Sequence, residues 1–273
     1  PGTTPTSPSI RKPRHSHPAT KGTNCDATKM ELNLKGRVAF VTGGGAGIGE
    51  AIARVLAAEG CTVAVADRDG TAAACVASSI CGHAVAVDVA DTGAVVAAFA
   101  GLRGPPEILV NAAGLLSIGH VNDLPAGEFD RVARVNIDGI INCVKAAAPA
   151  MAAAQRGRIV NVASISAIRG GGSVGNTLYG ATKAAVVALT MGLARELGPS
   201  GITVNAVAPA IVDTAMTHAA LTDEARQKIL PRIPLGRFAT TADVADLVAF
   251  LVSDRAGFIT GTVIPVDGGI LTT

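Results

Sequence analysis

"RVAFVTGGGAGIGEAIARVLAAEG", residues 37–60, decides the fold of this chain. A short run of Val, Ala and Phe enters a glycine-rich turn, and apolar residues then recur at helical spacing up to a final glycine. Gly43, Gly47 and Gly49 have the spacing GxxxGxG, whereas the dinucleotide spacing GxGxxG fails because position 50 is Glu50. Glycines let a backbone approach a phosphate, and a helix N-terminus offers unpaired N–H groups. A tight strand–helix connection without any ligand would show the same glycines.

Strand-like runs and helical stretches alternate from this turn to the C-terminus. The runs are rich in Val, Ile and Ala over their whole length, which is typical of strands covered on both faces. This alternation predicts an α/β fold over residues 34–273: a single Rossmann-like, doubly wound parallel sheet of about seven strands with helices on both faces. The predicted strands are RVAFVT, CTVAVAD, HAVAVDV, EILVNAAG, GRIVNVAS, GITVNAVAP and GTVIPVDGG.

The first 33 residues have a different composition. They are rich in Pro, Ser, Thr and basic residues and lack apolar periodicity, which predicts a disordered extension. Their prolines argue against an amphipathic transit helix, and no apolar core of a secretory signal is present. An added leader or an extended start upstream of Met30 explains the segment.

Charge and cysteine usage exclude several classes of protein. Residues 30–273 carry eighteen Lys and Arg against twenty Asp and Glu, so no basic face is expected for nucleic acid. The five cysteines are odd in number and lack a CxxC, which indicates free thiols in a reducing compartment and hence a cytoplasmic location. The five histidines are scattered and predict no metal site. No run of about 18 apolar residues lacks charges or breakers, so no membrane span is expected.

Acidic residues close the second and third predicted strands. Asp67 lies 18 residues after Gly49, where a carboxylate can accept hydrogen bonds from both hydroxyls of an adenosine ribose. Its charge would repel a 2′-phosphate, which favours NAD and makes NADP the less favoured cofactor. Arg68 instead favours NADP, because its guanidinium could pair with that 2′-phosphate. Asp88 ends the third strand at the same edge of the sheet, where open parallel sheets bind ligands.

"NTLYGATKAAV", residues 176–186, holds the only tyrosine of the chain. Tyr179 and Lys183 are four residues apart in a predicted helix, so they share a face. A neighbouring ammonium should lower the pKa of the phenol and bring proton transfer closer to neutral pH. A single Tyr-x-x-x-Lys pair can also arise by chance. Its position in a helix after the fifth strand makes a functional role more probable than the spacing alone would.

The ordered set of motifs resembles the short-chain dehydrogenase/reductase family. It runs through TGGGAGIG, NAAG, VNIDG, IVNVAS, YGATK, VNAVAP and GTVIPVDGG from about Leu34 to the C-terminus. Each motif alone is weak evidence for the family, whereas the order and spacing of all of them together are specific for it.

The resemblance implies a catalytic set of four residues. Tyr179 would be the acid or base, and Lys183 would lower its pKa and hold the nicotinamide ribose. Ser164 would bind the substrate oxygen, and Asn136 would hold a water that links Lys183 to solvent. Gly43, Gly45, Gly47, Ile48, Gly49, Asp67, Arg68, Asp88, Val89, Asn111, Ala112, Ala113, Pro209, Val212 and Thr214 would contact the cofactor together with Tyr179 and Lys183. The family also implies a homotetramer.

Three departures from the family pattern stand out. Ser164 lies 15 residues before Tyr179, slightly more than the usual interval, so Ser166, at 13, is its rival. We favour Ser164 because its strand determines its position while the loop RGGGSVGN absorbs length changes. Ala112 replaces a common second asparagine, and Ala210 replaces a frequent glycine near the expected nicotinamide.

The leading hypothesis is an NAD-dependent oxidoreductase that moves hydride between the nicotinamide and a secondary alcohol or ketone. An NADPH-dependent reductase of ketones or 3-oxoacyl thioesters is the first alternative, and a non-catalytic dinucleotide-binding regulator is the second. A methyltransferase of similar topology has no need for the Tyr–Lys pair. The segment at about 213–235 is expected to bind the substrate, and its mixed composition leans weakly towards an uncharged alcohol or ketone.

Overall fold

The computed structural model describes residues 31–171 and 175–272. Most of the predicted N-terminal extension and the centre of the glycine-rich loop after the fifth strand lie outside the described residues. The compact unit spans Leu32–Thr273. Its strands are β1 Val38–Thr42, β2 Thr62–Asp67, β3 His83–Ala86, β4 Ile108–Asn111, β5 Gly157–Val162, β6 Ile202–Pro209 and β7 Val263–Val266. Its helices are α1 Gly47–Ala58, α2 Gly70–Ser79, α3 Thr92–Ala100, α4 Glu128–Ala133, α5 Gly139–Ala153, α6 Ser166–Arg169, α7 Thr177–Leu197, α8 Ala215–Ala220, α9 Asp223–Ile229 and α10 Thr241–Leu251.

The seven strands form one sheet in the order β3-β2-β1-β4-β5-β6-β7, and every neighbouring pair is parallel. Strands β2 and β3 follow β1 in order on one side of it. The chain then crosses back, and β4 pairs with the other side of β1. This reversal creates a topological switch point between β1 and β4, where ligands of such sheets bind. The predicted fold class and strand number are confirmed.

Both faces of the sheet are buried, which explains the apolar strands. In β1, Ala39 and Val41 pack on one face, where α1 and α10 supply Ile52, Leu56 and Val248. Phe40 points to the other face and packs with residues of α3, α5 and α7. Successive side chains of a strand point to opposite faces, so a strand between two helical layers needs apolar residues throughout.

Several predicted elements run longer than the observed ones. The third predicted strand, HAVAVDV, pairs with β2 only over His83–Ala86. Beyond Ala86 the chain leaves the ladder, and Asp88 and Val89 belong to the loop that leads to α3. Apolar composition continues past the last ladder hydrogen bond because this loop still covers the core: Val87 and Val89 are both buried.

Helix α7 and the turn after it, Thr177–Ser200, are long and apolar enough by length and composition to cross a membrane, with a mean hydropathy of 1.3. In this fold Val186 and Ala194 of α7 pack in the core on one face of the sheet. This packing involves one face of the helix, and 33% of its apolar window is buried in the structure.

Candidate active site

The switch point brings the glycine turn against the end of β4. Gly43 has a left-handed φ of +64°, and a Cβ there would lie 2.8 Å from the backbone nitrogen of Ala113. A Cβ on Gly49 would collide with the carbonyl oxygen of Gly43. Two of the three motif glycines are therefore required by close backbone packing, which holds the N-terminus of α1 open beside the turn.

A cavity of about 410 Å³, called here the glycine cavity, lies over this turn. The first helix offers it N–H groups without a side-chain cap, because Ala46 stands at the N-cap, whereas Asp69 caps α2 and Asp91 caps α3. Gly47 has φ +58° and faces Thr214 across the cavity. The cavity is lined by predicted cofactor residues Gly43, Gly47, Ile48, Gly49, Asp67, Arg68, Asp88, Val89, Ala112, Ala113, Tyr179, Lys183 and Thr214.

Asp67 presents a half-buried carboxylate to this cavity from the end of β2. Its Oδ2 accepts a hydrogen bond of 3.0 Å from the Gly45 N–H, and its Oδ1 accepts one of 3.0 Å from the Asp69 N–H. These bonds orient the carboxylate and leave further lone pairs for a ligand. A side chain at position 45 would press on the carboxylate, because a Cβ there would lie 2.9 Å from Oδ2.

The remaining predicted cofactor residues lie elsewhere. Gly45 does not line the cavity and acts on it through Asp67. Asn111 is buried and does not line the cavity; its amide donates a 2.8 Å hydrogen bond to Asn161, which in turn donates one to Thr190 of α7. Pro209 and Val212 line a neighbouring cavity.

This neighbour, called here the serine cavity, has a volume of about 540 Å³. The two cavities share the wall residues Ile48, Val162, Tyr179, Thr214 and Met216. Both therefore open onto the tyrosine from adjacent sides. The predicted substrate segment contributes to the serine cavity through α8, α9 and the turn that follows them.

The structure brings Ser164, not its rival Ser166, to the tyrosine. The hydroxyls of Ser164 and Tyr179 are hydrogen-bonded to each other. Ser164 Oγ also accepts a 3.1 Å hydrogen bond from the backbone N–H of Ser166, which orients it. The Ser166 hydroxyl instead accepts a hydrogen bond of 3.2 Å from Asn176, at the loop beside α7. The serine that follows β5, Ser164, thus contacts Tyr179, as we expected from the fixed position of the strand.

The pKa of Tyr179 contradicts the expected effect of Lys183. Burial raises the pKa of the phenol to about 12, and the hydrogen bond from Ser164 only partly opposes this. Burial also lowers the pKa of Lys183 to about 8. The prediction that the ammonium makes the phenol acidic is therefore wrong for this structure. The reason is geometric: Lys183 Nζ lies 5.7 Å from the ring centre and donates a 2.7 Å hydrogen bond to the carbonyl of Val162.

Asn136 lies on a widened helical turn. The turn Arg134–Asp138 between α4 and α5 has π-helical geometry, a distortion that often occurs at functional sites. Asn136 Oδ1 accepts a 2.8 Å hydrogen bond from the Leu115 N–H, and Nδ2 donates to the Leu115 carbonyl at 3.0 Å. The side chain is thereby locked to the loop after β4.

Gly114 joins Asn136 to Lys183. A Cβ on this glycine would lie 3.3 Å from Asn136 Oδ1 and 3.4 Å from Lys183 Nζ. Both polar groups therefore face the same small space beside Gly114. The structure thus gathers Asn136, Ser164, Tyr179 and Lys183 around one wall of the two cavities.

Three further residues were missed by the sequence analysis. Thr42 Oγ1 accepts hydrogen bonds of 3.1 Å from the N–H groups of both Ala112 and Ala113, which fixes the loop after β4. Thr182 accepts a 3.0 Å hydrogen bond from Asn136 Nδ2 and donates one of 2.8 Å to the Tyr179 carbonyl. Gly114 is the third. All three residues belong to motifs quoted above, Thr42 to TGGGAGIG, Gly114 to NAAG and Thr182 to YGATK, but the sequence alone did not indicate their contacts.

The two alanines that depart from the family pattern have different surroundings. Ala112 lines the glycine cavity, and Ala210 lines the serine cavity. Ala210 also packs against a small apolar cluster around Ile165 and Ile233. Its methyl group therefore occupies space on the substrate side of the wall.

In the described part of the chain, no group of three His, Cys, Asp or Glu side chains could hold a metal ion. The glycine cavity does fit a dinucleotide. Its glycine cradle has no room for side chains, an uncapped helix N-terminus adjoins it, and an oriented carboxylate lies at its far strand. Fold and site together define a dinucleotide-binding α/β protein.

Comparisons with known proteins agree. A family model described as enoyl-(acyl carrier protein) reductase matches residues 43–271. A 3-oxoacyl-(acyl-carrier-protein) reductase of Staphylococcus aureus (strain Mu50 / ATCC 700699) is 40% identical over 241 residues, which cover 85% of this chain and 97% of that protein. A meso-2,3-butanediol dehydrogenase of Serratia marcescens is 41% identical over 244 residues, covering 87% and 96%.

A solved structure from Beutenbergia cavernae, described as an NAD(P)-dependent gluconate 5-dehydrogenase with NADP bound at low occupancy, superposes with a TM-score of 0.82. It is 37% identical and the match covers 89% of this chain and 100% of that one. The chain belongs to the short-chain dehydrogenase/reductase family, which confirms the resemblance. It is an oxidoreductase of a family that binds a nicotinamide dinucleotide.

Proposed function

We propose that this protein is an NAD(H)-dependent oxidoreductase that interconverts a secondary alcohol and a ketone. The observation that carries the proposal is the Tyr179 hydroxyl, hydrogen-bonded to Ser164 on the wall shared by both cavities. A nicotinamide dinucleotide, when bound, supplies the hydride donor or acceptor. The glycine turn, Asp67 and Lys183 would hold it.

Tyr179 is the proposed acid and base. With a pKa raised to about 12 by burial, its phenol is protonated at neutral pH and is able to donate a proton to a carbonyl oxygen. Ser164 would orient that oxygen by a second hydrogen bond. In the direction of alcohol oxidation the same phenol must accept a proton as a phenolate, which requires positive charge nearby.

Lys183, whose ammonium does not lower the pKa of the phenol in this structure, is proposed to act on the path of the proton instead. A lysine with a pKa of about 8 carries its proton in most molecules at pH 7 and loses it a little above. It faces Asn136 beside Gly114, so a proton leaving the lysine has polar groups next to it. We propose that this set relays protons between the tyrosine and solvent.

The choice of NAD over NADP rests on Asp67. Its carboxylate lines the glycine cavity and is oriented by two backbone N–H groups. A phosphate ester placed beside it would suffer charge repulsion, whereas ribose hydroxyls would donate hydrogen bonds to it.

A second candidate, an NADPH-dependent reductase of 3-oxoacyl thioesters, has its own support. Arg68 is exposed on the wall of the glycine cavity, where it could pair with a phosphate. The name of the Staphylococcus aureus relative describes a 3-oxoacyl-(acyl-carrier-protein) reductase, and the Beutenbergia cavernae structure is described with NADP bound at low occupancy. Initial rates with NADH and NADPH separate the two candidates, and a strong preference for NADPH would refute our use of Asp67.

Tyr179→Phe tests the chemistry. We expect turnover of secondary alcohols with NAD to fall by about a thousandfold, while NADH still binds, because the change removes only the hydroxyl. The chain has no tryptophan, so the fluorescence of NADH itself reports binding directly. Unchanged turnover in this variant would refute the catalytic role, and binding without turnover by the wild type across alcohols, polyols and ketones would favour the regulatory alternative.

Two further proposals concern the quaternary structure of the protein and its location in the cell. We propose a homotetramer, in which α5, α7 and the C-terminal segment supply alanine-rich contact faces. A cytoplasmic location is proposed from the cysteines; the four described ones, Cys61, Cys75, Cys81 and Cys143, are all free.

A further inference from the structure

Thr182 carries a buried hydroxyl that the proposed proton relay leaves unused. The residue is 0% exposed and lies in α7, directly before Lys183. Its Oγ1 accepts a hydrogen bond of 3.0 Å from Asn136 Nδ2 and donates one of 2.8 Å to the carbonyl of Tyr179. A hydroxyl has one proton, and here the helix carbonyl takes it, so the oxygen can only accept from the asparagine. The direction of both hydrogen bonds is therefore determined.

These bonds decide which end of the Asn136 amide faces Lys183. Both protons of Nδ2 are used, one by the carbonyl of Leu115 at 3.0 Å and one by Thr182. Oδ1 accepts a hydrogen bond of 2.8 Å from the Leu115 N–H and keeps a second lone pair. A Cβ on Gly114 would lie 3.3 Å from this oxygen and 3.4 Å from Lys183 Nζ. The amide oxygen, and not the amide nitrogen, thus faces the space that it shares with the lysine.

The hydroxyl of Thr182 thereby completes the hydrogen bonding of a buried amide. Without it, one N–H of Asn136 would lose its partner, and the hydrogen bonds to Leu115 alone would hold the side chain. A buried donor without a partner is costly, so the amide would shift towards another acceptor. The oxygen beside Lys183 would move with it.

We propose that Thr182 is a positioning residue for proton transfer, which acts by holding the oxygen of Asn136 towards Lys183. The inference rests on the proposed function, in which Tyr179, Lys183 and Asn136 relay protons to solvent. The same hydroxyl ties the widened turn that carries Asn136 to the helix that carries the tyrosine and the lysine. One side chain thereby links the two parts of the relay.

Thr190 provides a matched control further along the same helix. It is also 0% exposed, accepts a hydrogen bond of 2.9 Å from Asn161 Nδ2 and donates one of 2.8 Å to the carbonyl of Val186. This pair has the same donors and acceptors as the pair at Thr182. It joins α7 to β5, however, and neither Thr190 nor Asn161 lines the glycine cavity or the serine cavity. Loss of its hydroxyl should therefore affect stability and leave the relay intact.

Valine at each position keeps the shape of the side chain and removes the hydroxyl. We expect Thr182→Val to lower kcat for a secondary alcohol with NAD about tenfold, the effect of one lost hydrogen bond, while NADH binds as in the wild type. Thr190→Val should keep kcat, although urea unfolding shows a comparable loss of stability in both variants. Thr182→Ser restores the hydroxyl and should restore kcat. The pH of half-maximal oxidation should fall by about half a unit in Thr182→Val alone, because a displaced oxygen stabilises the ammonium of Lys183 less.

A double-mutant cycle shows whether Thr182 acts through Asn136. In an Asn136→Ala background the amide is gone, so adding Thr182→Val should change kcat by less than about twofold. A further loss of about tenfold in that background would show that the hydroxyl acts elsewhere, and it would overturn the inference.

Three other results would overturn the inference. They are an unchanged kcat in Thr182→Val, an equal fall of kcat in the two valine variants, and a Thr182→Ser variant as slow as Thr182→Val. In each case turnover by the wild type would leave the proposed function intact. If Thr182→Val does not fold, Thr182→Ala and Thr190→Ala decide between the same outcomes. If the wild type binds NADH yet oxidises no alcohol and reduces no ketone, the proposed function fails, and this inference fails with it.

Discussion

Replacing Lys183 by methionine should change the pH dependence of stability in a calculable way. The lysine is only 4% exposed, and burial lowers its pKa from 10.5 to about 8. At about 1.4 kcal/mol per pH unit, the folded protein is therefore less stable by about 3 kcal/mol wherever this lysine is charged in both states. Methionine has a similar length and cannot ionise, so it removes this cost.

The sign follows from proton uptake on unfolding. Between pH 8 and 10.5 the unfolded chain binds a proton that the folded protein has lost, so the contribution of Lys183 to stability rises with pH across this window. The variant also loses the hydrogen bond to the Val162 carbonyl, which costs about 1–3 kcal/mol at every pH. At pH 7 the two effects nearly cancel, and at higher pH the variant becomes the less stable protein.

Urea unfolding followed by far-UV circular dichroism measures the effect, since the chain has no tryptophan. The free energy of unfolding of the wild type minus that of Lys183→Met should rise by about 2 kcal/mol from pH 7 to pH 9.5. Protein concentration must be held constant, because an oligomer gains stability by mass action. Lys145→Met, at an exposed lysine, is the control. A difference that stays within about 0.5 kcal/mol over this range would refute the burial of the ammonium.

Three further predictions concern the site and the assembly. Gly114→Ala should lower kcat about tenfold, because its methyl group would press on Asn136 and Lys183. The control Gly192→Ala, where the methyl group meets open space, should leave kcat unchanged. Equal rates in both variants would contradict the proposed crowding of Asn136 and Lys183 by a methyl group at position 114. Asp67→Asn removes the charge and keeps one of the two acceptor oxygens, so the ratio of kcat/KM for NADH over that for NADPH should fall about tenfold, which is about 1.4 kcal/mol. An unchanged ratio would remove Asp67 from cofactor selection. Light scattering should give about four times the chain mass of 27.1 kDa, and a monomer would contradict the proposed tetramer.

Sequence patterns were most informative where a local property decides the structure. The glycine turn, the apolar strands and the helix that carries Tyr179 and Lys183 follow from backbone conformation and from periodicity within short windows. The contact of Tyr179 with Ser164, and not with Ser166, follows the same logic, because a strand end is determined by its ladder while a loop absorbs insertions. Strand ends were less accurate, as with the third strand, because apolar residues continue past the ladder to cover the core.

The fold class, the family and most of the residues that line the glycine cavity were thus predictable from the sequence alone, since they depend on neighbours in the chain. The pKa of Tyr179 and the space shared by Asn136 and Lys183 beside Gly114 were decided only by the tertiary structure. Burial and charge at a site depend on side chains that lie far apart in the sequence. Lys183 shows the reason most directly: its spacing from Tyr179 predicted a neighbour, but folding turned its ammonium to the Val162 carbonyl and buried it.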